Sequence, residues 1–270
     1  MPELPEVETI ARGLARSIVG KTIGHVEIRL KKIAQAPPGV RFARAVTGER
    51  ITAVRRRGKY AVIELASGRS LVTSLRMTGR LVVQRPEEPD FPGTHVVLTF
   101  EDETRLGFAD VRTFGRMRLV EPGEPWDVAL GLEPLSSGFT QEAFMSMLLK
   151  RTTPIKVFLL DQRRIAGIGN IYACEALWEA RVNPSRPAQA LNKPAIRRLH
   201  HAVVDVLGRA IDMRGTSVDD YVDADGLRGG FQNALSVYGR LGEPCLRCGK
   251  PIVRTVLGQR GTWWCKNCQR

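Results

Sequence analysis

The sequence predicts an α+β protein in which an N-terminal helix and an antiparallel β-sandwich precede a helical segment and a C-terminal zinc ribbon. Three observations carry this expectation. Apolar residues recur at helical spacing near the start, short β-rich runs separated by turn signals fill the region from 51 to 120, and four of the five cysteines fall in the last 26 residues.

The first helix follows from Leu4, Val7, Ile10, Leu14 and Ile18, which line one face while Arg12 and Arg16 fall elsewhere. Pro5 suits a first helical turn and Gly20 a stop. From Thr22 to Val120 the chain reads mainly as strands: Ile51–Arg57, Tyr60–Leu65, Ser70–Leu75, Leu81–Gln84, His95–Phe100, Thr104–Ala109 and Arg116–Val120. Gly58-Lys59, Ser67-Gly68 and Glu101-Asp102 are the turns between them, and short strands so spaced form a sandwich. Two prolines and a glycine in Glu121–Trp126 mark a linker. Beyond it, Thr140 can cap a helix running to Lys150, Pro154 can start one to Leu160, a third covers Asn170 to Ala180, and a long one covers Lys193 to Met213. The polar, glycine-rich stretch from Gly215 to Gly230 exceeds an ordinary connector, a length typical of functional loops. The expected domains are 2–120, a linker at 121–134, a helical segment with this loop at 135–230, and a zinc finger at 231–270.

Charge narrows the partner. Among 270 residues, 41 Lys and Arg face 28 Asp and Glu, a formal net charge of +13. A polyanion is the natural partner, with nucleic acid ahead of an anionic membrane surface. No apolar run approaches the ~20 residues of a membrane span, and the acidic start does not resemble a secretory leader. A cytoplasmic protein without a membrane partner is expected.

Cys245-x2-Cys248 and Cys265-x2-Cys268 are separated by 16 residues. Two close thiol pairs brought together by a hairpin make a tetrahedral zinc site, with a disulfide pair as the alternative. Cys174 lies in a helical pattern and reads as a small buried residue.

The start itself carries chemistry. If Met1 is removed, Pro2 becomes a secondary amine with an ordinary pKa near ~8, so a useful fraction is unprotonated at neutral pH. Its attack on a sugar C1′ gives an iminium with no N–H left to lose, a stable electron sink for lyase chemistry. The positive end of the first helix favours the free amine of Pro2 and a carboxylate at Glu3. Pro after Met is also common without any such role.

Several motifs then agree. Met1-Pro2-Glu3-Leu4-Pro5-Glu6-Val7-Glu8-Thr9, Arg57-Gly58-Lys59-Tyr60, Met77-Thr78-Gly79, Gly167-Ile168-Gly169-Asn170-Ile171-Tyr172-Ala173, Val237-Tyr238-Gly239-Arg240 and Gln259-Arg260-Gly261-Thr262 before the second cysteine pair occur in order along the chain. The set resembles the bacterial formamidopyrimidine-DNA glycosylases essentially end to end. The resemblance implies a bifunctional glycosylase and abasic-site lyase of base excision repair, in which the helical segment forms a helix–two-turn–helix domain that carries the zinc finger. Its partner is damaged double-stranded DNA, and its substrate a flipped oxidised purine, 8-oxoguanine or a formamidopyrimidine. It also implies a monomer, associated through DNA with the nucleoid, that holds one structural zinc ion.

By this resemblance Pro2 is the nucleophile, and Glu3 the acid/base group that assists opening of the deoxyribose. Lys59 contacts phosphate and assists β-elimination, while Arg260 serves phosphate binding and δ-elimination. Met77, Arg112 and Phe114 fill the space left by the flipped base, although from residue type alone core packing is the simpler account of Met77 and Phe114. Asn170 holds a phosphate at a helix start, where a plain N-cap is the other reading. Arg151 and Lys156 lie in a basic stretch that can meet the DNA backbone or stay solvated. His95 stands where the family often has a histidine pair.

Two departures touch the wedge. The family's Asp-Pro-Arg-Arg-Phe-Gly is Asp110-Val111-Arg112-Thr113-Phe114-Gly115, and its His-Leu-Gly-Met is Ser74-Leu75-Arg76-Met77. Two alternatives stay open: an endonuclease VIII-like activity on oxidised pyrimidines, and a non-catalytic zinc-ribbon DNA-binding protein. Arg112-x-Phe114 favours the purine branch over the first. The intact Pro2, Glu3 and Lys59 argue against the second.

Overall fold

The computed structural model describes residues 2–218 and 221–270. Met1, whose removal the chemistry of Pro2 requires, lies outside the described residues, as do Asp219 and Asp220 in the middle of the long loop. The chain divides into two compact units, residues 1–127 with 213–232, and residues 128–212 with 233–270.

The first unit opens with α1 (Leu4–Ile18), whose predicted apolar residues Leu4, Val7, Ile10, Leu14 and Ile18 are all fully buried. Nine strands follow: β1 (Ile23–Ile28), β2 (Ala34–Gln35), β3 (Ile51–Arg57), β4 (Tyr60–Leu65), β5 (Ser70–Ser74), β6 (Arg80–Gln84), β7 (Thr94–Phe100), β8 (Arg105–Ala109) and β9 (Arg116–Val120), with a short helix α2 (Phe42–Val46) before β3. They form a four-stranded sheet in the order β1-β7-β8-β6 and a five-stranded sheet in the order β2-β9-β5-β4-β3. All pairings are antiparallel except the two-residue bridge of β2 to β9. The two-residue alternation decides the core. Ala61, Ile63 and Leu65 of β4, Leu71 of β5 and Met117 and Leu119 of β9 join Val96, Leu98, Leu106 and Phe108 of the other sheet and the α1 stripe in one cluster. The opposite face of the five-stranded sheet carries a small second cluster of Val62, Val72 and Val120 under Tyr60 and Trp126.

Strands β1 and β2 and helix α2 lie within the region expected to be strands, but their patterns are too weak to read. β1 alternates irregularly, and its register shifts between Ile23 and His25. Chain order places residues 213–232 with the helical segment, yet they pack in the first unit. The reason is tertiary. Ala224 is fully buried, its carbonyl accepts from Val83 N–H at 3.0 Å, and a Cβ on Gly13 of α1 would stand 2.8 Å from the Ala224 Cβ. Only glycine at 13 leaves room for that docking.

The second unit contains α3 (Gln141–Leu148), α4 (Ile155–Leu160), α5 (Asn170–Glu179) and α6 (Lys193–Asp212), then β10 (Val253–Leu257) and β11 (Arg260–Trp264). Thr140 caps α3 as expected, its hydroxyl accepting from Ala143 N–H at 3.1 Å. Gly258 and Gln259, both at positive φ (55° and 60°), form the two-residue turn of the β10–β11 hairpin, the geometry that matches the twist of paired strands. Among the described residues no helix is long and apolar enough to cross a membrane.

Candidate functional site

In the first unit the N-terminal residues are fixed by their own sequence. Pro2 is buried and Glu3 is 2% exposed. Glu3 is the N-cap of α1 in a reciprocal capping box with Glu6, whose Oε2 accepts the Glu3 N–H at 2.8 Å. The other Glu6 oxygen accepts from Thr216 N–H at 2.7 Å, so the start of the 213–232 loop is tied to the same helix end. Sequence reasoning missed this role of Glu6, although the three-residue spacing from Glu3 is the signal for it.

Lys59 sits in the tight turn between β3 and β4. Arg56, at the end of β3, holds that turn in two ways: its Nε donates to Glu8 Oε2 of α1 at 2.8 Å, and its Nη1 to the Gly58 carbonyl at 3.1 Å. Burial pushes the Glu8 carboxyl up, but the Arg56 guanidinium, then Arg12, outweigh it and hold the group below its ordinary range. The turn bearing Lys59 is therefore anchored to the helix that begins at Pro2 and Glu3.

Met77 lies in the β5–β6 connection, and Arg112 and Phe114 in the β8–β9 connection. Core packing does not account for the two apolar residues, because Met77 is 37% and Phe114 52% exposed. The Arg112 guanidinium lies over the Phe114 ring, 5.0 Å from its centroid. His95 is half-buried behind this loop, its Nε2 donating to the Asp110 carbonyl at 3.1 Å. Val111, where the family has proline, is 67% exposed.

In the second unit the four predicted zinc ligands converge. The thiols of Cys245, Cys248, Cys265 and Cys268 all lie within 4.8 Å of one another, and the spacings of 4.0 Å (Cys245–Cys268) and 3.5 Å (Cys248–Cys265) suit a tetrahedral ion with bonds near ~2.3 Å. The Trp178 indole donates to Cys245 Sγ at 3.5 Å. Burial raises the Cys245 thiol, but that indole and the backbone N–H groups of Arg247 and Cys248 outweigh it and bring it down to about 6, while burial and the neighbouring thiols push Cys268 up to about 12. Helix α5 is the platform for the ribbon. Arg247, inside the first cysteine knuckle, stacks 3.7 Å from the Trp178 ring and donates to Glu179 Oε1 at 3.0 Å. The buried Glu175 carboxylate accepts from the backbone N–H groups of Ser236, Val237 and Tyr238 at 2.8–3.0 Å.

Two expectations for this unit change. Lys156 is not on a solvated face: it is 0% exposed, and its ammonium donates to Asn170 Oδ1 (2.6 Å), Thr262 Oγ1 (2.9 Å) and the Gly261 carbonyl (3.2 Å). The apolar stripe of the short α4 turns this position inward, where a charge persists only because acceptors surround it. Asn170 is not an N-cap, since Gly169 takes that position. Its amide instead donates to the Gly261 carbonyl at 3.0 Å, which joins the start of α5 to the zinc hairpin. Arg260, the first residue of β11, is exposed beside the hairpin turn, and Arg151 is exposed between α3 and α4.

Comparison with known proteins agrees along the whole chain. Residues 1–117 match the formamidopyrimidine-DNA glycosylase N-terminal domain, residues 130–222 the H2TH domain of the same enzymes, and residues 242–270 the zinc finger found in FPG and IleRS. A formamidopyrimidine-DNA glycosylase of Heliobacterium modesticaldum is 47% identical over 277 residues, covering 100% of both chains. The crystal structure of MutM (Fpg) from Thermus thermophilus superposes with a TM-score of 0.88 at 42% identity, covering 99% of this chain and 98% of that one. The Lactococcus lactis Fpg bound to DNA containing N7-benzyl-Fapy-dG does so at 0.91 and 35% identity, covering 100% of both.

Proposed function

Since the chain belongs to the formamidopyrimidine-DNA glycosylase family, we infer that it is a bifunctional DNA glycosylase and abasic-site lyase of base excision repair acting on oxidised purines in duplex DNA. The observation that carries this reading is the Pro2–Glu3 start, buried and held by the capping box at the head of α1. The Lactococcus lactis relative bound to Fapy-dG-containing DNA supports the purine class, and its complex with DNA containing an oxidised pyrimidine makes that second substrate class the comparison to run beside it.

In the mechanism we propose, Met1 is absent and the Pro2 nitrogen attacks C1′ of the damaged nucleotide. The C1′–N9 bond breaks and its electron pair leaves with the base. The Glu3 carboxylate would take the proton that the Pro2 nitrogen sheds on bonding to C1′ and pass it to O4′ as the C1′–O4′ bond breaks, leaving a cationic iminium between Pro2 and C1′. That cation acidifies C2′–H, and loss of the proton expels the 3′-phosphate; a second elimination expels the 5′-phosphate. Lys59, on its anchored turn, would hold the phosphate and assist the first elimination, and Arg260 would assist the second. Asn170 and Arg151 would contact the backbone, and His95 would act behind the Arg112 loop. For Lys156 we propose an indirect part, holding Asn170 and the zinc hairpin together. Cys245, Cys248, Cys265 and Cys268 would hold the zinc ion, which would fix the hairpin and, with four thiolate ligands, leave no place for a reactive water. One chain supplies every residue in this scheme, so a monomer at the nucleoid suffices.

The test is borohydride trapping on a duplex with 8-oxoguanine opposite cytosine, using Met1-processed protein beside Pro2→Gly. Reduction should give a covalent complex that peptide mapping places on the Pro2 nitrogen, and Pro2→Gly should lose that proline adduct. Tight binding with a free Pro2 but no adduct, on this or an oxidised-pyrimidine duplex, refutes the enzyme reading.

A further inference from the structure

The connections carrying Met77 and Arg112–Phe114 both cross between the two sheets, and they do so side by side. Strand β5 pairs with β9 through Ser74 and Arg116 in one sheet, while β6 pairs with β8 through Arg80 and Ala109 in the other. The two crossings leave and enter adjacent strands, so their backbones must pass close together.

Where they pass, one buried carboxylate organises both. Asp110 is 1% exposed. Its Oδ2 accepts from Gly115 N–H at 2.6 Å, its Oδ1 from Arg112 N–H at 3.2 Å, and its carbonyl from Thr113 N–H at 3.0 Å. His95 of β7 also donates to that carbonyl, and a further donor to the carboxylate comes from the other loop. The Thr78 hydroxyl donates to Asp110 Oδ1 and at the same time accepts from Arg112 N–H at 3.2 Å. This hydroxyl, next to Met77, thus occupies a place inside the turn that presents Arg112. Both loops also hold a side-chain-bearing residue in the left-handed region, Arg76 and Thr113, each at φ 56°. Such conformations persist only where surrounding bonds over-determine them.

We propose that Thr78 and Asp110 are positioning residues that lock the two loops into one body, so that Met77, Arg112 and Phe114 enter the base stack together. The proposal rests on the reading of those three residues as the fillers of the vacated space. A wedge must offset the cost of unstacking bases, and loops that are ordered only on binding add their own entropic cost. Locked loops have met that cost in the free protein. Base extrusion should depend on the lock, whereas cleavage of a site that has already lost its base should depend on it little.

The experiment compares single-turnover excision of 8-oxoguanine with cleavage of a preformed abasic duplex. The variants are Thr78→Val, Thr78→Ser, Met77→Ala, Phe114→Ala and the Thr78→Val/Met77→Ala double. Thr78→Val keeps the shape and loses both hydrogen bonds; it should slow excision about tenfold, with abasic cleavage within about twofold of wild type, which also shows that the protein folds. Thr78→Ser should restore excision. In the double variant the two effects should fall short of their product, because a detached loop gains little from Met77. Multiplicative effects, equal slowing of both reactions, or normal excision by Thr78→Val would each overturn the coupling. If Phe114→Ala and Met77→Ala leave excision unchanged, the wedge reading itself fails, and the coupling with it.

Discussion

Replacing Lys156 with methionine tests whether the zinc hairpin depends on a buried charge. The ammonium is 0% exposed and serves Asn170 Oδ1, Thr262 Oγ1 and the Gly261 carbonyl. After substitution Gly261 keeps its bond from the Asn170 amide at 3.0 Å, whereas Asn170 Oδ1 and the fully buried Thr262 hydroxyl lose this donor. Each buried acceptor left without a donor costs about 1–3 kcal/mol. Against that, methionine has similar length and the desolvation cost of the ammonium, several kcal/mol, disappears. The two neutral acceptors left behind together cost about 2–6 kcal/mol, Asn170 toward the low end because it is half-buried. The relieved desolvation offsets part of this, so the net loss should be about 2 kcal/mol, below the ~3–5 kcal/mol seen when a buried charge is stranded. For a unit of this size that is a fall of roughly 6–10 °C in its calorimetric transition. A solvated surface lysine would instead change stability by less than about 0.5 kcal/mol. Differential scanning calorimetry of the zinc-loaded protein decides between them, and a transition within ~1 °C of wild type would refute the argument.

Three further outcomes are expected. The Glu8 carboxylate is held below its ordinary range chiefly by Arg56 against burial; a depressed acid contributes stability above its unfolded pKa and loses it as pH falls through the folded value. The melting difference between wild type and Glu8→Gln should therefore be constant near neutrality and shrink as pH falls below the ordinary Glu pKa of ~4.3; a difference that grows in acid would reverse the sign. Cys248→Ser should lower bound zinc, measured by metal analysis, and duplex affinity, measured by anisotropy, together; normal affinity in zinc-free protein would remove the ribbon from DNA binding. Gly13→Ala gains about 1 kcal/mol of helix propensity, but its Cβ meets Ala224 at 2.8 Å. Limited proteolysis should then cut within residues 213–232 faster than in wild type, and an unchanged rate would mean that the loop docks by other contacts.

Much of the site was legible because its determinants are local. The stripe of α1 needs only a 3.6-residue period, and the cysteine pairs need only their spacing. The strands from 51 to 120 are bounded by turn residues that act within three or four positions, which is why β3, β4 and β9 begin and end where the pattern says. The ordered motifs then placed the chemistry proposed for Pro2, Glu3 and Lys59 on those elements.

Other features depend on partners distant in the chain. A lysine in a basic stretch reads as solvated, and only the hairpin 105 and 106 residues away turns Lys156 into an internal bolt. Asp110 and Thr78 look like loop residues until two sheets bring their crossings together. Residues 213–232 follow a helix of the second unit, but Gly13 and Val83 of the first decide where they pack. Periodicity and spacing act over a few residues, so the sequence alone determined the elements, the four clustered cysteines and the Pro2–Glu3 start from which the chemistry is proposed. Burial and hydrogen-bond satisfaction are settled by whatever groups the fold places nearby, so the tertiary structure alone decided which polar side chains stay exposed and which hold the protein together.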